Sequence, residues 1–150
     1  MRIVIQRVSH ASVTIDGVCK SAIKEGFMIL VGIEGADTTE DADWLVKKVI
    51  NLRVFDDEEG VMNKSILEVD GEILVISQFT LHASYKKGNR PSYIHAAKPD
   101  IAIPIYEYFC KALSEGLGKE VGTGKFGADM KVELLNNGPV TICMDTKNKA

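Results

Sequence analysis

The 150 residues are 45% hydrophobic and 26% charged, with a formal net charge of −3, which fits a single domain over 1–150 with a real core. That mild acidity excludes a chain that coats nucleic acid non-specifically, but not one with a local basic patch. Cys19, Cys110 and Cys143 are widely spaced and form no Cys-x-x-Cys, no apolar run reaches membrane-spanning length, and the N-terminus lacks the form of a signal peptide, so a cytoplasmic protein without a disulfide framework is expected.

Arg2 to Val8 reads as a first strand, with Ile3 and Ile5 on one face and Val4 and Gln6 on the other. Arg7 falls near its end. Ser12 to Ile15 reads as a second short strand, closed by the hairpin pair Asp16-Gly17, with Val18 to Ile23 as its antiparallel return. Gly26 to Gly32 is continuously apolar, which predicts a central strand buried on both faces. Asp37-Thr-Thr-Glu40 has the form of a capping box with Asp37 as N-cap. Ala42, Leu45, Val46, Val49 and Ile50 then recur at helical spacing and form a core stripe. Leu52 to Phe55 returns to extended structure. Asp56-Asp-Glu-Glu-Gly60 reads as a solvated turn, since it lacks the alternating ligands of a calcium loop.

Ser65 to Val69 and Glu72 to Leu81 are expected to pair across Asp70-Gly71. The second of these begins with the buried run Ile73 to Ile76 and continues into Ser77-Gln-Phe-Thr-Leu81. In an extended chain Gln78 and Thr80 share one face, and Ser77, Phe79 and Leu81 the other. Such a strand end can present polar groups rigidly at a pocket, or satisfy its hydroxyls locally. His82 to His95 reads as a loop. Its Tyr85, Lys86, Lys87, Arg90 and Tyr93 suit either a nucleic-acid contact or a polar surface. A second helix is predicted between Asp100 and Gly116, with Pro104 in its first turn. Ile105, Phe109, Ala112 and Leu113 form its buried stripe, and Gly116 or Gly118 ends it. Gly122-Thr-Gly-Lys-Phe-Gly127 spells Gly-x-Gly-x-x-Gly, but a helix end precedes it and the strand-like Lys131 to Leu135 follows, the wrong context for a dinucleotide fingerprint. Asn136-Asn-Gly-Pro-Val-Thr141 reads as a turn between two strands, and Lys147 to Ala150 as a frayed tail.

The histidines His10, His82 and His95 have no metal-ligand spacing. Neither a Gly-x-Ser-x-Gly elbow nor a P-loop occurs. No metal and no cofactor is expected. An enzyme of this composition acts on an already reactive substrate, through positioning and through donors aimed at developing charge.

Ser77-Gln-Phe-Thr-Leu81 and Asn136-Asn-Gly-Pro-Val-Thr141 resemble the two signature motifs of the D-aminoacyl-tRNA deacylase family. Ile5-Gln-Arg-Val-Ser-His-Ala-Ser-Val13, Arg90-Pro-Ser92, Lys98-Pro-Asp100 and Thr123-Gly-Lys-Phe-Gly-Ala-Asp-Met130 resemble it in register. The likeness extends from Met1 to Thr146. It implies a mixed α/β fold, with a mostly antiparallel sheet, two main helices and a layered β/β/α arrangement. It implies hydrolysis of the ester between a D-amino acid, or glycine, and the terminal ribose of tRNA. Ser77, Gln78, Phe79 and Thr80 are then the catalytic stretch. The resemblance further implies a homodimer whose Gly138-Pro139 loop, with a cis Gly-Pro bond, enters the partner subunit's active site and rejects L side chains, with Arg7 holding that loop. Two other readings compete: a catalytically silent tRNA-binding module, and an esterase using Thr80 or Ser77 with His82 as its base.

Overall fold

The computed structural model describes Met1–Ala150. Its first strand does not stop at Val8. Strand β1 runs unbroken over Arg2–Ile15. Its first half pairs with β3 (Gly26–Gly32), and its second half pairs with β2 (Val18–Ile23) across the expected Asp16-Gly17 turn. Ile3 and Ile5 are buried in one core, whereas Val8, Ala11 and Val13 are buried in another. The switch falls where the pairing with β8 (Lys131–Asp145) shifts register, between Val8 and His10. An extra residue in a period-two element exchanges its faces, so one continuous strand feeds two cores.

Strands β3 and β6 (Glu72–Ser77) lie side by side in parallel, and β6 also pairs in parallel with β7 (Gly122–Thr123). All partners of β1 are antiparallel. The sheet is therefore mixed and mostly antiparallel, as expected. Both central strands are buried on both faces. Phe27, Ile29, Val31, Ile73 and Val75 face the helices, while Met28, Leu74 and Ile76 face the smaller core within the curled sheet.

Helix α1 (Thr39–Asn51) buries Ala42, Leu45, Val49 and Ile50. Its N-cap is Thr38 rather than Asp37. Thr38 and Asp41 form the reciprocal capping box. The Asp37 carboxylate is instead buried, accepting from the Met1 ammonium at 2.8 Å and from the Glu34 N–H at 2.7 Å. Burying a carboxylate requires such a partner, and its demand overrides the cap. Helix α2 (Pro99–Leu117) starts one residue before the prediction, because Pro99 takes the first helical position. Pro104 thus lies in the second turn, where, lacking an N–H, it cannot itself donate to the Asp100 carbonyl. Gly118, at φ 80°, closes the helix.

Three further expectations are corrected. Ser65–Val69 forms turns rather than a strand. Both edges of β6 are already taken by β3 and β7, leaving none for a hairpin partner. Asn136–Thr141 does not reverse the chain. It is a bulged excursion within β8, which pairs with β1 on either side of it, Asn136 opposite Val8 and Thr141 opposite Gln6. The tail Lys147–Ala150 is not frayed at its start: Lys147 N–H donates to Asp145 Oδ1 at 2.9 Å, and its ammonium pairs with Glu34. The short strands β4 (Phe55–Asp56) and β5 (Met62–Lys64) form a separate hairpin. No helix is long and apolar enough to cross a membrane.

Candidate active site

Strand β6 ends with Ser77 opposite Val31, and the Gln78 N–H closes the ladder on Val31 O at 2.7 Å. Beyond this point the expected extended stretch is a single 3-10 turn, Phe79–His82. The turn lies over Gly32. A Cβ there would stand 3.0 Å from Gln78 O, Leu81 Cβ and His82 Cδ2. The missing side chain gives the turn its room. The first hydrogen bond of the turn runs from Leu81 N–H to Gln78 O, at 3.2 Å. The amides of Phe79 and Thr80 precede it, and so have no acceptor within the turn. Gln78 and Thr80 do meet: Gln78 Nε2 donates to Thr80 Oγ1 at 2.6 Å.

The turn is held from behind. Arg2 Nη1 donates to Leu81 O at 2.9 Å, while Arg2 Nε donates to Asp145 Oδ2 at 2.8 Å. Tyr106 of α2 donates its hydroxyl to Val75 O at 3.1 Å, two residues before Ser77. Burial pushes the Tyr106 pKa up, so the phenol stays a donor. His82 is 2% exposed. Its Nδ1 lies 3.1 Å from Glu34 Oε1 without hydrogen-bond alignment, and its Nε2 has no partner. Burial opposes the Glu34 carboxylate, but the Lys147 ammonium and the His82 imidazole outweigh it and hold the Glu34 pKa below its ordinary value. The arrangement in which His82 flanks Thr80 along an extended strand is therefore not formed.

A pocket of about 250 Å³ opens beside the turn. Ser77, Gln78 and Phe79 line it, together with Ala97, Phe126 and Met130 among others. Phe79 is 53% exposed, and its ring meets Tyr93 edge-on, with centroids 5.0 Å apart. Phe126 and Met130 had no role assigned from the sequence. Their trace in the sequence is the family-like stretch Thr123–Met130, and in the structure a Cβ on Gly124 would collide with Met130 Sδ. No group of three or more His, Cys, Asp or Glu side chains is placed to hold a metal ion. The free thiols lie away from the pocket lining, and burial pushes that of Cys110 up to about 11.

Arg7, Gly138 and Pro139 are elsewhere. Arg7 is 7% exposed. It donates from Nε to Asn137 O at 2.9 Å and from Nη1 to Val54 O at 2.6 Å. Its Nη2 would be 3.0 Å from a Cβ on Gly138, whose φ is +136°. The Gly138-Pro139 bond is cis, and Asn136 Oδ1 accepts from Val140 N–H at 2.9 Å beneath it. Arg7 pairs with Phe27, and Phe27 with Ile73. Ser77 is four residues further along β6, about 13 Å at roughly 3.3 Å per residue. Within one chain the two motifs are thus held apart.

The family model for D-Tyr-tRNA(Tyr) deacylase matches residues 4–145. A curated relative from Phocaeicola vulgatus, named D-aminoacyl-tRNA deacylase, is 87% identical over 99% of each chain. Among solved structures, the c-Myc DNA Unwinding Element Binding Protein superposes with a TM-score of 0.92 at 41% identity, covering 97% of this chain and 99% of its own. A probable eukaryotic D-amino acid tRNA deacylase shares the fold, with a TM-score of 0.82 at 18% identity, over 95% of this chain and 97% of its own. On a match that spans nearly every residue, including both motifs, the chain belongs to the D-Tyr-tRNA(Tyr) deacylase family.

Proposed function

We propose that the chain, working as one unit over residues 1–150 in the cytoplasm, hydrolyses the ester that joins a D-amino acid or glycine to the terminal ribose of tRNA. Free tRNA and the amino acid are released, and L-aminoacyl esters are spared. The observation that carries this reading is the turn at the pocket, whose leading amides, those of Phe79 and Thr80, face no acceptor of their own turn. An aminoacyl ester is already activated, so two preorganised donors and an oriented water suffice. Water attacks the carbonyl carbon, the oxyanion forms against the Phe79 and Thr80 N–H groups, and the ribose oxygen leaves with a proton. The neighbouring ribose hydroxyl assists that transfer. Gln78, fixed on Thr80 Oγ1, orients the substrate, and Ser77 borders the carbonyl. No side-chain nucleophile is needed, which agrees with the inward placement of His82.

The active species in this reading is a homodimer. The separation of the two motifs within one chain supports it, since Gly138-Pro139 would then meet a Ser77–Thr80 turn across an interface. There the backbone oxygens of Gly138 and Pro139 stand against the substrate Cα on the side where an L side chain would project. Such a wall acts by overlap of atoms, so its selectivity exceeds the roughly 1–3 kcal/mol of one methylene in a pocket. It cannot reject glycine, which has no side chain. The test is hydrolysis of matched D-, L- and glycyl-tRNA at equal enzyme concentration, with oligomeric state measured alongside. D and glycyl esters are expected to be cleaved, and L esters to survive. Comparable D and L rates, or full activity from a monomer, would refute the wall across the interface. Binding of tRNA without hydrolysis would favour the silent binding module.

A further inference from the structure

Between Glu72 and Asp100 the chain has no carboxylate at all, although it carries 21 Asp and Glu in 150 residues. The same span holds Lys86, Lys87, Arg90 and Lys98, and none of the four takes part in an ion pair. A chain of net charge −3 thus keeps one locally cationic, unneutralised segment. Its place in the fold is specific. Its cations lie on the stretch that directly follows the 3-10 turn, and near the far end of that stretch Ala97 lines the pocket and donates its N–H to Ile33 O at 2.8 Å.

The segment is also built to hold a shape. Ser84 and Ser92 exchange both backbone hydrogen bonds at 2.8 Å, which closes Tyr85–Pro91 into a defined loop. A second bridge, Glu34 to Ala96, fixes its return. Three cations and Tyr85, which is 78% exposed, sit on the loop tip, while Tyr93 braces the half-exposed ring of Phe79 at the pocket rim. Cations that follow a backbone, next to aromatic faces open to solvent, are what a single-stranded nucleic acid requires: phosphates meet charge and unpaired bases stack. A duplex offers no free base faces to such rings.

We propose that the loop Ser84–His95 is the docking surface for the unpaired 3′ end of the tRNA, immediately upstream of the aminoacylated nucleotide. Lys86, Lys87 and Arg90 hold its phosphates, and Tyr85 and the Phe79–Tyr93 pair stack its bases. This rests on the deacylase reading for its ligand, and it adds where the rest of the tRNA runs from the pocket.

The test uses the full chain and a triple variant, Lys86→Ala, Lys87→Ala, Arg90→Ala, with a charge-conserving control, Lys86→Arg, Lys87→Arg, Arg90→Lys. Two readouts are taken. The first is kcat/KM on D-tyrosyl-tRNA relative to D-tyrosyl-adenosine, which lacks the upstream phosphates. The second is fluorescence anisotropy with labelled, uncharged tRNA over a salt series. The advantage of tRNA over the adenosine ester is expected to shrink at least tenfold in the triple variant and to return in the control. The salt slope of binding is expected to flatten by about 2, for three cations at roughly 0.7 each on a single strand. Trimming the unpaired 3′ nucleotides from the tRNA is expected to erase the difference in binding between wild type and variant. An unchanged tRNA-to-adenosine ratio with unchanged binding overturns the proposal, and so does a binding difference that survives trimming. Absence of hydrolysis by the wild type on either substrate refutes the deacylase reading alone, because the anisotropy comparison still decides the surface.

Discussion

Replacing Arg7 by Ala separates the anchoring of the Gly138-Pro139 loop from simple surface charge. The guanidinium is almost wholly buried, and it donates to the carbonyls of Asn137 and Val54 at 2.9 and 2.6 Å. Hydrogen bonds to a charged group contribute about 1.5–3 kcal/mol each. Asn137 sits in an exposed stretch that water can reach, so its bond takes the lower end, and with the buried Val54 bond the two give at least about 3 kcal/mol. The ion pair with Asp56 adds little. It spans 3.4 Å and its carboxylate is more than half exposed, which places it at about 0–1 kcal/mol. Against a typical stability of about 5–15 kcal/mol, Arg7→Ala remains folded. With a urea m-value of about 2 kcal/mol per molar, its midpoint falls by at least about 1.5 M. Asp56→Asn moves the midpoint by at most about 0.5 M. D-aminoacyl-tRNA hydrolysis is expected to weaken in Arg7→Ala, and L activity to rise only if the proposed carbonyl wall itself moves. Paired urea denaturation and D/L rate measurements check this. If Arg7→Ala shifts the midpoint no more than Asp56→Asn and leaves D hydrolysis intact, the guanidinium does not hold the loop and the reasoning fails.

Thr80→Ala is expected to keep substantial deacylase activity, because the proposed donors are backbone amides; an acyl-Thr80 adduct trapped and seen by mass spectrometry would reverse that expectation. Asp37→Asn removes the carboxylate from a fully buried pair with the Met1 ammonium, and a loss of about 3–5 kcal/mol is expected in chemical denaturation. A loss under about 1 kcal/mol would show that the pair does not order the N-terminus. Glu34 has its pKa depressed in the folded state. Its contribution to stability is therefore present above its ordinary value of 4.5 and is lost as pH falls through the folded value. Urea midpoints of the wild type should drop on acidification in that range, and Glu34→Gln should drop less. Identical acid slopes in the two proteins would count against the Glu34–Lys147–His82 cluster as the source.

Local patterns read from the sequence survive where one element decides its own structure. The apolar run Gly26–Gly32 is buried on both faces, and the Ala42–Ile50 stripe is a helix face in the core. Asp16-Gly17 is the turn between β1 and β2. The Gly-x-Gly-x-x-Gly at Gly122–Gly127 opens no helix. Each of these rests on periodicity or turn chemistry within about ten residues, which a linear chain displays directly. The motifs Ser77–Leu81 and Asn136–Thr141 were visible too, since the residue types that a pocket or a close backbone approach needs stand together in the chain.

What the chain could not display was competition for partners at long range. Ser65–Val69 has strand composition, but β3 and β7 occupy both edges of β6. Ser77–Leu81 reads as extended, yet its ladder runs out at Val31 and Gly32 leaves space for a turn, so hydrogen bonding favours the turn that frees two amides. Asp37 looks like a cap until the Met1 ammonium, 36 positions away, claims its carboxylate. Composition and local pattern therefore mark which residues can build a core and which can do chemistry. Which edges, carbonyls and charges find partners is settled by packing in three dimensions, because backbone groups and buried charges must each be satisfied and the chain supplies more candidates than places.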